Sequence, residues 1–216
     1  MIKAIIFDFD GVIVESVDIK TDAFKKLYKK YGTDVLNKVV NHHLNNGGMS
    51  RQKKIKIYHN KYLNINISEE EILSLSNEFS SYVKRKVVEA SYVPGAERFI
   101  IENSNKFLLF ISTGTPIDEI NYILDKRGIN LYFKKVFGSP TSKIDHINQI
   151  MYEYKLKSNE IIFVGDATTD LNAAKEKDIP FILRVHNNNY NQFESYVGSK
   201  ISDLNELYAF TKTKAN

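Results

Sequence analysis

Three times along this chain a short apolar run stops abruptly at acids, hydroxyls and glycine. Ala4-Ile5-Ile6-Phe7 precedes Asp8, Phe107 to Ile111 precedes Ser112-Thr113-Gly114-Thr115, and Ile161-Ile162-Phe163-Val164 precedes Gly165-Asp166. Runs this short and this uniformly apolar suit strands covered on both faces, which belong to parallel sheets. Phe181-Ile182-Leu183 has the same character and Val136-Phe137 marks a shorter strand, with helical stretches near 116–127, 142–155 and 168–177 between them. Strand alternating with helix predicts an α/β fold, a Rossmann-like parallel sheet with helices on both faces.

From about residue 15 to residue 91 the rhythm changes to amphipathic helical segments at Thr21–Tyr31, Asp34–Leu44, Arg51–Tyr62 and Glu69–Val88, with no strong strand. Ser68-Glu69-Glu70-Glu71 is a capping-box pattern, in which Ser68 accepts from a backbone N–H and Glu71 reaches back. This predicts a helical domain over 15–91 inserted into an α/β core of 1–14 and 92–216, with Pro94-Gly95 marking the return to the core. The Asn run 187–189 and the polar end from Thr211 to Asn216 read as a loop and a frayed terminus.

With 216 residues, 43% hydrophobic and 26% charged, the chain can bury a sizeable core and falls between one domain and two. Its formal charge of +4 is spread along the chain, which implies a mild attraction for anionic substrates and no nucleic-acid-binding tail. The absence of cysteine excludes thiol catalysis, disulfides and thiolate metal sites, so any metal needs oxygen or imidazole ligands. Asp8 and Asp10 interrupt the N-terminal apolar run before signal-peptide length, and no segment approaches ~18 uninterrupted apolar residues. A soluble, cytoplasmic protein with no membrane or nucleic-acid partner is the expectation. The many Tyr and Phe could include a dimer patch, and the oligomeric state is open.

The strand ends carry the candidate chemistry. Asp8 and Asp10 are two apart, so an extended strand points both to one side, and Gly11 permits a sharp exit. Two acids there call for a divalent cation, or else form an ordinary strand-to-loop junction. In Ser112-Thr113-Gly114-Thr115-Pro116, Pro116 suits the first helical position with Thr115 as its cap. N–H groups around Gly114 could then face an anion, aided by the Thr113 hydroxyl, or the segment could be a simple helix cap. Asp166 and Asp170 lie one helical turn apart and could both serve a metal, although Asp170 could instead merely occupy the first turn of a helix. Lys143 falls between the second and third strong strands and could reach the same sheet edge, where open α/β sheets place their ligands.

Taken together, these segments resemble the haloacid dehalogenase-like phosphatases, whose four signatures occur here in order as FDFDGV, STGT, SPTSK and GDATTD. The resemblance spans nearly the whole chain and is to the group containing phosphoglycolate phosphatase and β-phosphoglucomutase, in which a helical cap follows the first strand. It implies that Asp8 is a nucleophile forming an aspartyl-phosphate and that Asp10 is the acid/base. It further implies Mg²⁺ held by Asp8, the main-chain carbonyl of Asp10, and Asp166, with Asp170 direct or through water. Thr113, the Gly114 N–H and Lys143 would hold the transferring phosphoryl group. The implied partner is a small-molecule phosphate ester, a sugar phosphate or a phosphoglycolate-like acid.

The segment Asn46-Gly47-Gly48-Met49-Ser50-Arg51 is similar to the cap loop of β-phosphoglucomutase relatives, which makes Arg51, and after it Lys20, candidate substrate contacts. Either could instead be a solvated cation, and His42 and His43 read as surface residues. Mutase relatives carry a cap His where this chain has Lys20 and a basic residue where it has Gly47, which argues against a mutase. A Pro soon after the motif Lys is common, but here Ile144-Asp145 follows. The alternatives to a phosphatase are a phosphomutase and a catalytically silent protein that binds a phosphometabolite.

Overall fold

The computed structural model describes residues 1–211. Beyond Thr211 the polar end lies outside the described residues. Six parallel strands form one sheet in the order β3-β2-β1-β4-β5-β6: β1 Ala4–Phe7, β2 Leu108–Pro116, β3 Lys135–Ser139, β4 Ile161–Gly165, β5 Phe181–Arg184 and β6 Ser199–Ile201. The edge strand β6 was not expected. Its Ser-Lys-Ile sequence is exposed at two of three positions and carries no apolar run.

The register decides where the chemistry sits. Ala4 to Phe7 align with Leu108 to Ile111 on one side and with Ile161 to Val164 on the other. The residues that follow, Asp8, Ser112 and Gly165, therefore stand at one level of the sheet. Alternate side chains of each strand point to opposite faces, and the two faces feed separate cores. Ile5, Phe7, Leu109, Ile111, Ile162 and Val164 face one way, onto helices α5 (Ala96–Asn103) and α6 (Ile117–Lys126). Ala4, Ile6, Phe110, Ile161 and Phe163 face the other, onto α7 (Lys143–Tyr154) and α8 (Thr168–Glu176).

Between β1 and β2 the chain forms the inserted helical cap, with α1 Val17–Tyr28, α2 Thr33–Asn45, α3 Arg51–Ile57 and α4 Glu69–Glu89. Phe24, Leu27, Val39, Ile55, Phe79 and Val83 bury its centre. The expected helix Arg51–Tyr62 divides here: α3 passes into a π-helical stretch, Tyr58–Leu63, that ends at left-handed Asn64. This turns both Tyr58 and His59 inward, where Tyr28 and His59 Nδ1 share a 3.1 Å hydrogen bond. The capping box of α4 forms, with Glu71 N–H donating to Ser68 Oγ at 3.2 Å and Ser68 N–H to Glu71 at 2.9 Å. Helix α5, also not expected, starts right after Gly95, whose φ of +81° only glycine adopts readily. A last helix, α9, covers Tyr208–Thr211. Among the described residues no helix is long and apolar enough to cross a membrane.

Candidate active site

Asp8 leaves β1 into a buried position, with one carboxylate oxygen accepting from the Phe9 N–H at 2.6 Å and the other 2.8 Å from Lys143 Nζ. Burial pushes its carboxyl up to about 8; Lys143 opposes this, and Asp170, Asp166 and Asp10 add to it. Gly11, at φ +76°, lets the chain turn away, and a Cβ there would lie 2.3 Å from an Asp166 oxygen.

Asp10 lines the same cavity but has different partners. It accepts from Ser16 Oγ at 2.6 Å and Thr115 Oγ1 at 3.0 Å, and it forms an ion pair with Lys20. Burial alone would raise its pKa, but Lys20 and the two hydroxyls outweigh that and hold it below the ordinary value. Lys20, expected as a substrate contact, thus spends its charge on Asp10 and also donates to Thr115 Oγ1 at 2.7 Å.

The second motif needs a correction. β2 runs past its expected end at Ile111 to Pro116, and α6 begins only at Ile117 with Pro116 as its N-cap. Thr115 is therefore not a helix cap: its hydroxyl serves Asp10, and its N–H donates to Thr113 Oγ1 at 3.2 Å. Ladder pairing with β3, which resumes at Pro116 opposite Ser139, holds the segment extended. Thr113 and Gly114 still line the cavity.

Lys143 opens α7 and is buried between Asp8 and Asp170, ion-paired to both. Burial would lower its pKa, but Asp170 and Asp8 raise it above the ordinary lysine value. Two features aim it. Ser142 and Asp145 cap the helix reciprocally, so Asp145 has a use where a Pro is common. His146 accepts from Ser112 Oγ at Nδ1 (2.8 Å) and donates from Nε2 to Thr141 Oγ1 (2.7 Å), tying the middle of β2 to the loop before Lys143. Burial and Lys143 hold His146 down to about 4.

Asp166 follows β4, and its Oδ2 lies 2.8 Å from His186 Nε2. The Asn188 N–H donates to His186 Nδ1 at 3.2 Å, which leaves the ring proton on Nε2. Asn189, read from sequence as part of a bland loop, is in fact buried and donates to the main-chain oxygens of Asp166 and Arg184 at 2.8 and 2.9 Å. Neither His186 nor Asn189 was expected. The available signal was a polar run directly after a strand. Asp170 is fully buried, with one oxygen on Lys143 and the other accepting from the Ala167 N–H at 3.0 Å, so it caps its helix as well as facing the site.

A divalent cation fits these residues. Asp8, Asp166 and Asp170 each offer a carboxylate oxygen, all within 4.8 Å of one another and all buried. Buried acids grouped in this way, with Asp8 pushed up first by burial and then by its acidic neighbours, suit a hard cation with oxygen ligands. The Asp10 carboxylate is outside this triad.

The cap loop lies on the core. Thr169 Oγ1 donates to the Gly47 oxygen at 2.8 Å, and a Cβ on Gly114 would come 2.4 Å from the Gly48 oxygen. Arg51 is buried against Glu119 of α6 at 2.5 Å, and Ser80 of α4 donates to the same carboxylate at 2.5 Å. Arg51 lines the cavity, but its charge is spent on this tie between cap and core. Glu119→Ala, which leaves a buried guanidinium unpaired, is expected to cost about 3–5 kcal/mol in denaturant unfolding; an unshifted midpoint would remove the tie from the account. His43 is another correction. It is buried, not superficial, and with Lys54 it lines the cavity.

The enclosed space is about 80 Å³. At ~10–15 Å³ per water-sized occupant, it accepts a phosphoryl group and a few further heavy atoms. A buried carboxylate beside a fixed lysine, with a second carboxylate among hydroxyls, can perform nucleophilic substitution followed by proton transfer.

The family model for haloacid dehalogenase-like hydrolases matches residues 5–184. A phosphoglycolate phosphatase of Photobacterium profundum is 26% identical over 203 residues, covering 88% of this chain and 86% of that protein. A predicted phosphoglycolate phosphatase from Haemophilus somnus superposes with a TM-score of 0.77 at 18% identity, covering 98% of each chain. A β-phosphoglucomutase from Clostridium difficile superposes at 0.76 with 22% identity, covering 96% of this chain and 93% of that one. With the family model spanning both the α/β core and the inserted cap, the chain belongs to the haloacid dehalogenase-like hydrolases.

Proposed function

We propose that this chain hydrolyses a small phosphate monoester, with Asp8 as nucleophile and Asp10 as acid/base. The observation that carries this reading is the meeting of Asp8, Asp10, Thr113, Gly114 and Asp166 around one small cavity, with Lys143 against Asp8. An Asp8 oxygen attacks phosphorus as its carboxyl gives up the proton that burial keeps on it, the ester P–O bond breaks, and Asp10, ionised in the free site, relays that proton to the departing oxygen. Asp10 then takes a proton from water as the water oxygen attacks the aspartyl-phosphate, releasing inorganic phosphate and restoring Asp8. Lys143, the Thr113 hydroxyl and the Gly114 N–H compensate charge on the phosphoryl oxygens, which is the main demand of this reaction. Mg²⁺, held by Asp8, the Asp10 carbonyl and Asp166, with Asp170 directly or through water, would supply further charge compensation there.

We take residues 15–91 as the cap and 1–14 with 92–216 as the catalytic core. Closure of a cap over such a site excludes water during the first transfer. Lys20 and Arg51 act in this reading by holding Asp10 and the cap in place. Hydrolysis is favoured over a mutase because a Cβ on Gly47 would lie 2.9 Å from the Ala167 Cβ, leaving no room for a longer side chain there.

The test is phosphate release from an aryl phosphate and a metabolite panel, with Mg²⁺ and with EDTA. Release is expected with Mg²⁺ and not with EDTA, and Asp10→Asn is expected to slow it ~10²–10⁴-fold. Isomerised sugar phosphate without stoichiometric phosphate would establish the mutase instead. Tight ester binding with no turnover would establish the silent binding protein.

A further inference from the structure

Asp8, Asp166 and Asp170, the acids that converge on the cation position, each have an oxygen engaged by a fixed donor. Asp8 Oδ1 accepts from the Phe9 N–H at 2.6 Å, and Asp170 Oδ2 accepts from the Ala167 N–H at 3.0 Å. Asp166 Oδ2 accepts from His186 Nε2 at 2.8 Å. The first two donors are main-chain groups close by in the chain. The third is a side chain 20 residues away that the proposed phosphoryl transfer does not use. Among the described residues no donor reaches Asp166 Oδ1, so His186 divides this carboxylate into one engaged oxygen and one free one.

The imidazole is itself held firmly. The His186 main-chain N–H donates to Asn189 Oδ1 at 2.9 Å, and its Nδ1 accepts from the Asn188 N–H at 3.2 Å, which fixes the ring proton on Nε2. Asn189 is 3% exposed, and its amide donates to the main-chain oxygens of both Asp166 and Arg184. The loop after β5 is thereby fastened to the end of β4, with His186 in the cavity wall beside Asp166. Ring and carboxylate keep one mutual orientation.

The number of oxygens that a carboxylate offers discriminates between divalent cations. Mg²⁺ demands near-ideal octahedral geometry and keeps several waters, whereas Ca²⁺ takes about six to eight oxygens and accepts both oxygens of one carboxylate. We infer that His186 is a specificity-determining residue for the metal: by occupying Asp166 Oδ2 it keeps Asp166 a one-oxygen ligand and favours Mg²⁺ over Ca²⁺. This rests on the reading that Asp8, Asp166 and Asp170 hold the cation of the proposed hydrolase. Without the Nε2 donor, Asp166 presents both oxygens, adding a ligand that Ca²⁺ uses and octahedral Mg²⁺ does not.

Calorimetric titration of the metal-stripped protein with Mg²⁺ and with Ca²⁺, in the absence of substrate, gives the two dissociation constants and their ratio. The wild type is expected to bind Mg²⁺ more tightly. His186→Phe keeps a planar ring and removes the donor, and it is expected to shift the ratio toward Ca²⁺ by ~10–100-fold, the usual scale for a partner that orients a metal ligand. His186→Gln, whose amide can donate in place of Nε2, is expected to keep most of the wild-type ratio, whereas a role confined to packing would favour the Phe variant. If His186→Phe shows no cooperative thermal transition, His186→Leu is read in the same way. Tighter binding of Ca²⁺ than of Mg²⁺ by the wild type overturns the inference. So does a folded apolar variant that keeps the wild-type ratio, or a Gln variant that matches the apolar one. Phosphate release from the same samples separates the two readings. Selectivity that depends on His186 with no release from any ester overturns the hydrolase alone, whereas a wild type that binds neither ion overturns the metal site and the inference with it.

Discussion

Asp8→Asn is expected to lower phosphate release at least ~10³-fold, because the amide keeps the shape of the carboxylate and loses its nucleophilic oxygen. The variant should remain folded, and the reason is electrostatic. Asp8 is an acid whose pKa rises on folding, from 3.8 to about 8, chiefly through burial. Such a group supports the fold fully only below its unfolded pKa, and that support is lost as the pH climbs through the folded value. Above about pH 8 the ionised carboxylate stands buried among Asp170, Asp166 and Asp10 with Lys143 as its compensating cation. Removing the charge removes that burden. In EDTA at neutral pH the melting temperature of Asp8→Asn should therefore equal or exceed that of the wild type, with the difference shrinking toward pH 4. Activity surviving in this variant would sink the mechanism. A lower melting temperature at neutral pH would show that the Asp8 charge is better compensated than the geometry implies.

Lys143→Met is expected to cut both activity and stability. The ammonium is buried between Asp8 and Asp170, each already ion-paired to it. Without it, a dianionic phosphate would approach an uncompensated Asp8, and loss of one such charge-stabilising donor typically costs ~10²–10³-fold in rate. Breaking a buried pair by deleting one partner costs about 3–5 kcal/mol. Because Asp8, Asp166 and Asp170 converge on a position suited to a divalent cation, added Mg²⁺ should recover part of the stability in thermal unfolding without restoring the rate. Full recovery of phosphate release by Mg²⁺ would show that Lys143 is dispensable for the chemistry.

These two residues illustrate different degrees of legibility. Asp8 stands directly after a wholly apolar run, so its place at a strand end followed from the pattern alone. Lys143 had no such marker, and only its order between two strong strands suggested that it reaches the same edge. Helix α7, Lys143–Tyr154, fell close to the helical stretch that the pattern placed near 142–155. The helix cap expected at Thr115 did not form, because pairing with β3 keeps the chain extended to Pro116. Local turn preference lost there to the sheet ladder.

The cap was legible as helices and not as a surface. Amphipathic spacing identified α1, α2 and α4, since each must bury one stripe against its neighbours. Which polar residues would be drawn inward was a different question. His43 read as solvated and is buried against Lys54, 11 residues along the chain. Arg51 read as a substrate contact, and its guanidinium is held by Glu119, 68 residues away. Asn189 read as loop, and it fastens the backbone beside Asp166.

The sequence by itself determined the alternating strands and helices and the inserted helical segment, and it singled out Asp8, Asp10, Thr113, Gly114, Asp166 and Asp170 as candidates. Hydrophobic period and abrupt polar strand ends are local properties, written in neighbouring residues. Only the tertiary structure decided which charges neutralise one another: Lys20 with Asp10, Lys143 with Asp8 and Asp170, Arg51 with Glu119, and Lys54 with no acid among the described residues. Those pairings depend on how the cap lies over the core, and the energy of a buried charge is set by partners a few ångströms away in space, however far they lie along the chain.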